Sequence, residues 1–248
     1  MEFRTGVIRP VECFQEGWEL IKKDYWLFFG ITAVGMLLAG FIPIIGVGTM
    51  FCGIYYCLLQ KIDGRRPEFA DLFKGFEYIL PSLVATLAII VPTVISMIFM
   101  YGSMIAIFLS YANGRTGRID ESAFYALFGT MIIEGVLFGL LMGVLHALIM
   151  FAYPLIVEHK LNGWEAFKLS AKAVWKNLNG VIGLIALEFV LGVIGYMGLA
   201  IGIYFVLPIM FAGVAVAYRK VFPKNDFSPA NAPSFAPSPD FAKQADWR

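Results

Sequence analysis

The chain has 248 residues, of which 59% are hydrophobic and 15% are charged. A soluble domain is typically about 45–50% apolar and about 25% charged. The composition therefore excludes an ordinary soluble domain and predicts an integral membrane protein embedded in the lipid bilayer, while a formal net charge of +1 gives no support to a nucleic-acid partner.

Six apolar stretches predict membrane-spanning helices, because roughly 18 or more apolar residues can cross a bilayer. In chain order we place them at residues 25–44, 46–60, 79–111, 123–157, 180–199 and 201–219. The two middle stretches would extend about 50 Å as helices, beyond a hydrocarbon core of roughly 30 Å, so we expect them to tilt, kink or protrude. Pro92 is the expected kink site because proline lacks a backbone donor.

A surface helix is predicted before each pair of spans. In "GWEAFKLSAKAVWKNL" one helical face is apolar (Trp164, Phe167, Ala171, Val174, Leu178) and another carries Lys168, Lys172 and Lys176. We expect this helix to lie on the cytoplasmic membrane surface, anchored by Trp164 and Trp175. The same spacing occurs earlier in two further apolar sets: Val11, Phe14, Trp18, Ile21 and Tyr25, with Trp18 as anchor, and Phe69, Leu72, Phe73, Phe76 and Leu80.

Three repeated units follow from this pattern. The tripeptide GWE recurs at residues 17–19, and each pair of spans ends in a lysine and a helix breaker, in "QKIDG", "HKLNG" and "RKVFP". The predicted fold is an all-α polytopic membrane protein whose six transmembrane helices form three hairpins, each preceded by an amphipathic cytoplasmic surface helix. The units are residues 11–62, 67–161 and 163–222 of a membrane domain that covers residues 1–222.

The distribution of lysine and arginine predicts the orientation. These residues are concentrated before the first span, in the connections after the second and fourth spans, and after the sixth, whereas the opposite side has only Arg115 and Arg118. The positive-inside rule then places the N- and C-termini in the cytoplasm. No cleaved signal peptide is evident, since the first apolar run begins near Tyr25 without a small-residue cleavage site.

The segment "YPLIVEHKLNGWEAFKLSAKAVWKNL" combines a proline at the exit of a span with a Trp-Glu-Ala surface helix that carries Ser170, Trp175 and Asn177. In this and in its organisation over about residues 10 to 222, the chain resembles bacterial six-span membrane proteins grouped as YciC-like, as BPSS1780-like and as the membrane domain of glycerophosphoryl diester phosphodiesterases. The resemblance implies a multi-pass protein of the bacterial inner membrane rather than an enzyme, because no catalytic motif of a phosphodiesterase matches.

Three ionisable residues within the predicted spans are candidate functional groups, because such residues cost about 2.5–3.5 kcal/mol at the centre of a bilayer. Glu134 is either an acid at the outer interface or a functional group. His146 and Glu188 lie at matched depths, about 12–17 Å from the cytoplasmic ends of their spans, and could form an intramembrane polar pair. Such a pair would either hold two helices together or carry protons or ions.

The remaining candidates are structural or lie in the tail. Gly135, Gly139 and Gly143 form a helix-packing ridge, either within the bundle or against another subunit. We expect no cofactor, no catalytic residue and no metal site, and we interpret Cys13, Cys52 and Cys57 as isolated apolar thiols.

Residues 223–248 form a Pro-rich tail that we expect to be disordered or extended in the cytoplasm. Its spaced aromatic residues either lie free in solvent or dock on a partner: Phe227, Phe235, Phe241 and Trp247. The function that fits best is a non-enzymatic membrane scaffold or accessory subunit with other membrane or cytoplasmic protein subunits as partners. The alternative is a small transporter, channel or lipid-handling protein.

Overall fold

A computed structural model describes residues 2–112, 121–198 and 201–224, and the secondary structure of these residues is helical, without a β-strand. The α-helices in this part of the chain are α1 (Pro10–Ile21), α2 (Tyr25–Phe41), α3 (Pro43–Ile62), α4 (Ile79–Ala112), α5 (Glu121–Ile149), α6 (Ala152–His159), α7 (Gly163–Lys176), α8 (Leu178–Met197) and α9 (Gly202–Val221). Two 3-10 segments, Lys22–Asp24 and Phe69–Tyr78, precede α2 and α4.

Six helical stretches in the described ranges are long and apolar enough to cross a membrane. They are Pro10–Phe41, Ile44–Ile62, Phe69–Leu109, Tyr125–His159, Leu178–Met197 and Gly202–Val221. The all-α class and the six membrane-crossing lengths that the sequence predicts are therefore confirmed.

The fourth span, predicted at residues 123–157 and found as Tyr125–His159, contains an interruption, because α5 ends at Ile149 and α6 begins at Ala152. Pro154 explains the break: its ring clashes with the carbonyl of the residue four positions earlier, Met150, and it has no N–H to donate. The backbone N–H of Phe151, freed by the break, donates to Ser170 Oγ on α7 over 3.1 Å. Helix α6 then enters the core, where its residues from Ala152 to Val157 are buried. Proline alone does not break a helix here, since α4 continues through Pro92.

One end of the bundle collects the charged residues. Lys220, near the end of α9, bonds Glu16 of α1 over 2.8 Å, and Lys61, near the end of α3, pairs with Asp24 just before α2. Buried Asn177, between α7 and α8, accepts a hydrogen bond from the backbone of the N-terminal segment over 2.7 Å. Helix α1, the segment Lys22–Asp24, Asn177 and the C-terminal ends of α3 and α9 therefore lie together. We call this region the polar end.

Helix α1 packs on α9 through part of the predicted apolar face together with small residues beside it. A Cβ added at Gly17 would lie 2.7 Å from the backbone nitrogen of Gly213, so the two backbones are in direct contact. Cys13, Phe14, Gly17 and Ile21 are buried there, whereas Trp18 is exposed. The predicted face is therefore divided between protein contact and open surface.

Helix α7 shows the same division. Its buried face is made of small residues (Gly163, Ala166, Ser170, Ala173 and Val174), while Trp164 and Trp175 are exposed. The GWE tripeptides do not mark equivalent positions, because Gly163 is the first residue of α7 whereas Gly17 lies in the second half of α1. The recurrence of this tripeptide therefore does not support a repeat, and the packing of the units has to be compared instead.

The third predicted surface helix, around residues 69–80, is a 3-10 helix and not an α-helix. In a 3-10 helix side chains recur every three residues, so Leu72 and Gly75 are buried on one side while Phe73 and Phe76 stack on another, 6.4 Å apart. A Cβ at Gly75 would lie 2.2 Å from Thr49 O of α3. The close contact between Gly75 and α3 occurs within the 3-10 helix, and the spacing of apolar residues along the sequence does not reveal it.

Candidate functional site

The structure brings His146 of α5 and Glu188 of α8 together. His146 Nε2 lies 2.9 Å from Glu188 Oε2, the distance of a direct hydrogen bond. An ionised carboxylate can only accept, so in that state Nε2 carries the proton and donates. Glu188 is buried at 8% exposure, whereas the His146 side chain is 54% exposed at the gap between the two helices. Whether the pair acts as helix glue or carries protons stays a prediction.

The glycines near His146 and Glu188 do not explain why these two side chains lie close together. Added Cβ atoms at Gly143 and Gly192 would meet nothing within 4 Å, and a Cβ at Gly183 would meet Pro10 Cγ at 2.5 Å. Gly183 therefore serves the packing of α8 on the N-terminal residue of α1. The gap between α5 and α8 is bridged by long polar side chains and not by close backbones.

A cavity of about 200 Å³, which we call the central cavity, lies beside the pair. Its lining comes from six helices: Met36, Phe51, Tyr55, His146, Ile149, Met150, Tyr153, Glu188, Leu207, Met210, Phe211 and Val214. Eight of these twelve residues are apolar, and three of the eight are methionines. Phe211 packs edge-on against both Phe51 and Tyr55, with ring centroids 5.2 Å and 5.6 Å apart. The cavity suits hydrocarbon better than ions.

Two polar groups of the central cavity lack a partner among the described residues. Tyr55 is 5% exposed, and its hydroxyl makes no hydrogen bond with them. Glu188 Oε1 is also free of hydrogen bonds there, since the contact with His146 uses Oε2. Tyr153, in contrast, bonds Thr86 Oγ1 over 3.1 Å. Neither oxygen is fully enclosed, since Arg219 Nε alone is a fully buried unpaired side-chain atom in the described part of the chain, so both oxygens can still form a hydrogen bond with a ligand.

A second polar cluster, at the polar end, was missed by the sequence analysis. Arg219 of α9 bonds Glu158 of α6 and, over 3.2 Å, Asp63 just after α3. Tyr218 donates to Glu158 over 2.6 Å, and Lys224 pairs with Asp63. We call these five residues the end cluster. The motifs that end each pair of spans contained the signal, because QKIDG includes Asp63, RKVFP includes Arg219, and Glu158 directly precedes HKLNG.

The charges of the end cluster change the acidity of Asp63. Partial burial opposes ionisation, but the hydrogen bond from Lys224 and the charge of Arg219 outweigh it and lower the pKa of Asp63. Arg219 Nε is buried without a partner among the described residues. Because Arg219 joins carboxylates from two different helices, the cluster fixes the positions of three helix ends relative to one another.

Glu134 has a partner within the helix pair α4 and α5. Ser103 Oγ of α4 donates to Glu134 Oε1 over 2.6 Å. A carboxylate at this position is therefore satisfied by the neighbouring helix and does not stand alone.

The ridge of Gly135, Gly139 and Gly143 is not a packing surface within the chain. Added Cβ atoms at all three would meet nothing within 4 Å in the structure. The expectation of packing within the bundle is therefore wrong, because α5 turns this side away from its neighbours. The expectation of an interface with another subunit remains.

The three tryptophans predicted as surface anchors are exposed in the structure. Trp18 is 41%, Trp164 53% and Trp175 72% exposed. Trp164 stacks on Phe167 with centroids 5.7 Å apart, and Lys168 lies over its ring at 6.0 Å.

Other predicted residues carry less structural information. Phe227, Phe235, Phe241 and Trp247 of the tail and Arg115 and Arg118 lie outside the described residues. Cys13, Cys52 and Cys57 are buried free thiols. Within residues 2–112, 121–198 and 201–224, no group of histidine, cysteine and acidic residues could hold a metal ion.

The fold and these sites define an α-helical chain with six stretches able to cross a membrane. Comparison with protein-family models, with curated proteins and with solved structures found no match in any of the three. Its function is therefore argued from its own residues.

Proposed function

We propose that the six spans form three hairpins (α2 with α3, α4 with α5 and its continuation α6, α8 with α9), each preceded by an amphipathic surface segment. The support is a cyclic packing order. Helix α1 packs on α9, the 3-10 helix Phe69–Tyr78 packs on α3, and α7 packs on α6 as well as on α4 and α5. Each surface segment thus contacts the closing helix of the preceding unit, as a repeated architecture would produce.

The polar end faces the cytoplasm in this proposal. Lysine and arginine are concentrated in the segments that meet there, which is the charge distribution of cytoplasmic loops. The exposed tryptophans of α1 and α7 would then lie at the headgroup level of the inner leaflet, where tryptophan is enriched. The resemblance to YciC-like proteins adds the bacterial inner membrane as the location.

The function we propose is that of a non-enzymatic scaffold or accessory subunit in a membrane assembly. The observation that carries it is the surface of α5. Its glycine ridge is open, and the neighbouring row of Val136, Leu140 and Val144 is exposed as well. Small residues spaced by four let another membrane helix approach closely, so this side of α5 suits a helix of a second protein.

The test is to purify the native complex gently and to weigh it by native mass spectrometry. Gly139→Leu should release a stoichiometric partner, because the larger side chain fills the ridge. Gly192→Leu is the matched control, since Gly192 on α8 is equally open but lies outside the ridge. Retention of the partner by both variants would refute the ridge as the interface. A wild-type protein that always runs alone would refute the scaffold itself.

A lipid-handling role is the second candidate, and the central cavity favours it. The mainly apolar lining does not suit an ion pathway, which normally presents polar or charged groups along its length.

The tail, residues 223–248, is proposed as a separate docking element of the scaffold. Deleting residues 225–248 should then remove a partner while the membrane domain stays monodisperse.

A further inference from the structure

We propose that the central cavity binds a long-chain alcohol from the membrane, whose hydroxyl bonds Tyr55 and Glu188 and whose hydrocarbon chain fills the apolar part. This inference goes beyond the scaffold role and rests on different residues. It starts from the unpaired hydroxyl of Tyr55, which is nine-tenths buried and lines the cavity.

Hydrogen-bond chemistry selects the class of ligand. Glu188 already accepts from His146 through Oε2, so its Oε1 needs a donor. The Tyr55 hydroxyl can donate or accept, and it needs one partner. An alcohol supplies both, because its O–H donates to the carboxylate while its oxygen accepts from tyrosine. A fatty acid carboxylate would meet the charge of Glu188, and an ester has no donor.

The volume and lining require more than a water molecule. A cavity of about 200 Å³ has several times the ~30 Å³ that one water occupies in the liquid. Water beside the two polar groups would be satisfied, but water against Met36, Leu207 or Met210 would have no hydrogen-bond partner. A hydrocarbon chain fills that region without losing hydrogen bonds.

The depth of the site disfavours a ligand with a charged headgroup. Glu188 is near the middle of α8, which runs from Leu178 to Met197, and lies about 15 Å from its start. A phosphate at this depth would be buried in hydrocarbon at high cost, whereas a hydroxyl needs only the two bonds that the site offers. The exposed side chain of His146 marks the gap between α5 and α8 through which a lipid could enter sideways.

The experiment uses the full chain in lipid nanodiscs and a tetradecan-1-ol probe that carries a photoreactive diazirine in its chain. Labelled residues are located by mass spectrometry, with excess tetradecan-1-ol or tetradecane as competitor. We expect saturable labelling of cavity residues such as Met150 and Met210, competed by the alcohol and not by the alkane. Tyr55→Phe should weaken labelling about tenfold, the loss of one hydrogen bond to a buried polar group.

Tyr56→Phe is the matched control, because the neighbouring hydroxyl bonds Lys74 over 3.2 Å and does not line the cavity. This variant should label like the wild type. Equal competition by tetradecane, or unchanged affinity in Tyr55→Phe, would overturn recognition of the hydroxyl. Labelling that never saturates and falls on exposed residues such as Val193 would show that the cavity holds no lipid. Met210→Trp, which reduces the volume, should abolish saturable labelling even if the other variants fold poorly.

Discussion

Replacing Ser170 by alanine tests how the break between α5 and α6 is stabilised. The Ser170 hydroxyl is fully buried and accepts the hydrogen bond from the Phe151 N–H at the break between α5 and α6. Alanine leaves that N–H buried and unpaired, which should lower the free energy of unfolding by about 1–3 kcal/mol. Little is lost in packing because only one oxygen is removed.

Ser82→Ala is the control for this change. Ser82 is also fully buried in a helix, but its hydroxyl donates to Ile79 O, a carbonyl that belongs to the same helix. Both substitutions gain the same helix propensity, so the difference isolates the Phe151 N–H. Unfolding in mixed micelles with rising dodecyl sulfate, followed by circular dichroism, measures both free energies. Equal losses in the two variants would refute the idea that Ser170 stabilises the break.

Three further predictions concern orientation, acidity and the intramembrane pair. Cysteine at position 116 should react with an impermeant reagent in intact cells and cysteine at position 228 should not; the reverse result contradicts cytoplasmic termini. Because the folded pKa of Asp63 is lowered, its contribution to stability is present above its unfolded pKa and is lost as the pH falls through the folded pKa. Between pH 5 and pH 3 the wild type should therefore lose more stability in dodecyl sulfate titrations than Asp63→Asn, and parallel curves would contradict this. His146→Leu with Glu188→Leu should be tolerated better than either single change, because a lone partner costs about 1–3 kcal/mol while the pair contributes about 0.6; loss of cellular activity in a folded double mutant would instead indicate a proton or ion pathway.

The spans were predictable from sequence because length and apolar composition are local properties. The matched depth of His146 and Glu188 was predictable for the same reason, since helix rise converts residue counts into distance. The break before α6 was not predictable in the same way: Pro154 removes the bond to the carbonyl of residue 150, but Pro92 lies within the continuous helix α4. Both the break and the partner of the Phe151 N–H required the structure.

Other features depend on tertiary contacts that sequence spacing does not encode. The 3-10 helix Phe69–Tyr78 lies where Gly75 meets the backbone of α3. Its side chains therefore recur every three residues, whereas the sequence analysis expected the alternating three- and four-residue spacing of an α-helix. The buried face of α7 consists mostly of small residues, and that of α1 adds Cys13 and Gly17 to the predicted Phe14 and Ile21, whereas the predicted tryptophans of both helices are exposed. Tyr55 also escaped notice, because a tyrosine within an apolar span is unremarkable until its hydroxyl is found unpaired.

The two polar clusters have different physical consequences because they lie at different depths. At the polar end, Lys224 is exposed, whereas Arg219 and its partners Glu158 and Asp63 are largely buried, so the geometry of these pairs sets how α3, α6 and α9 lie relative to one another. In the middle of the bundle, Glu188 is buried as well, and each of its oxygens needs a specific partner. One partner is His146, and the other position is open. The proposed binding of a lipid alcohol in the central cavity depends on this free carboxylate oxygen, and the ion pairs at the polar end lie away from it.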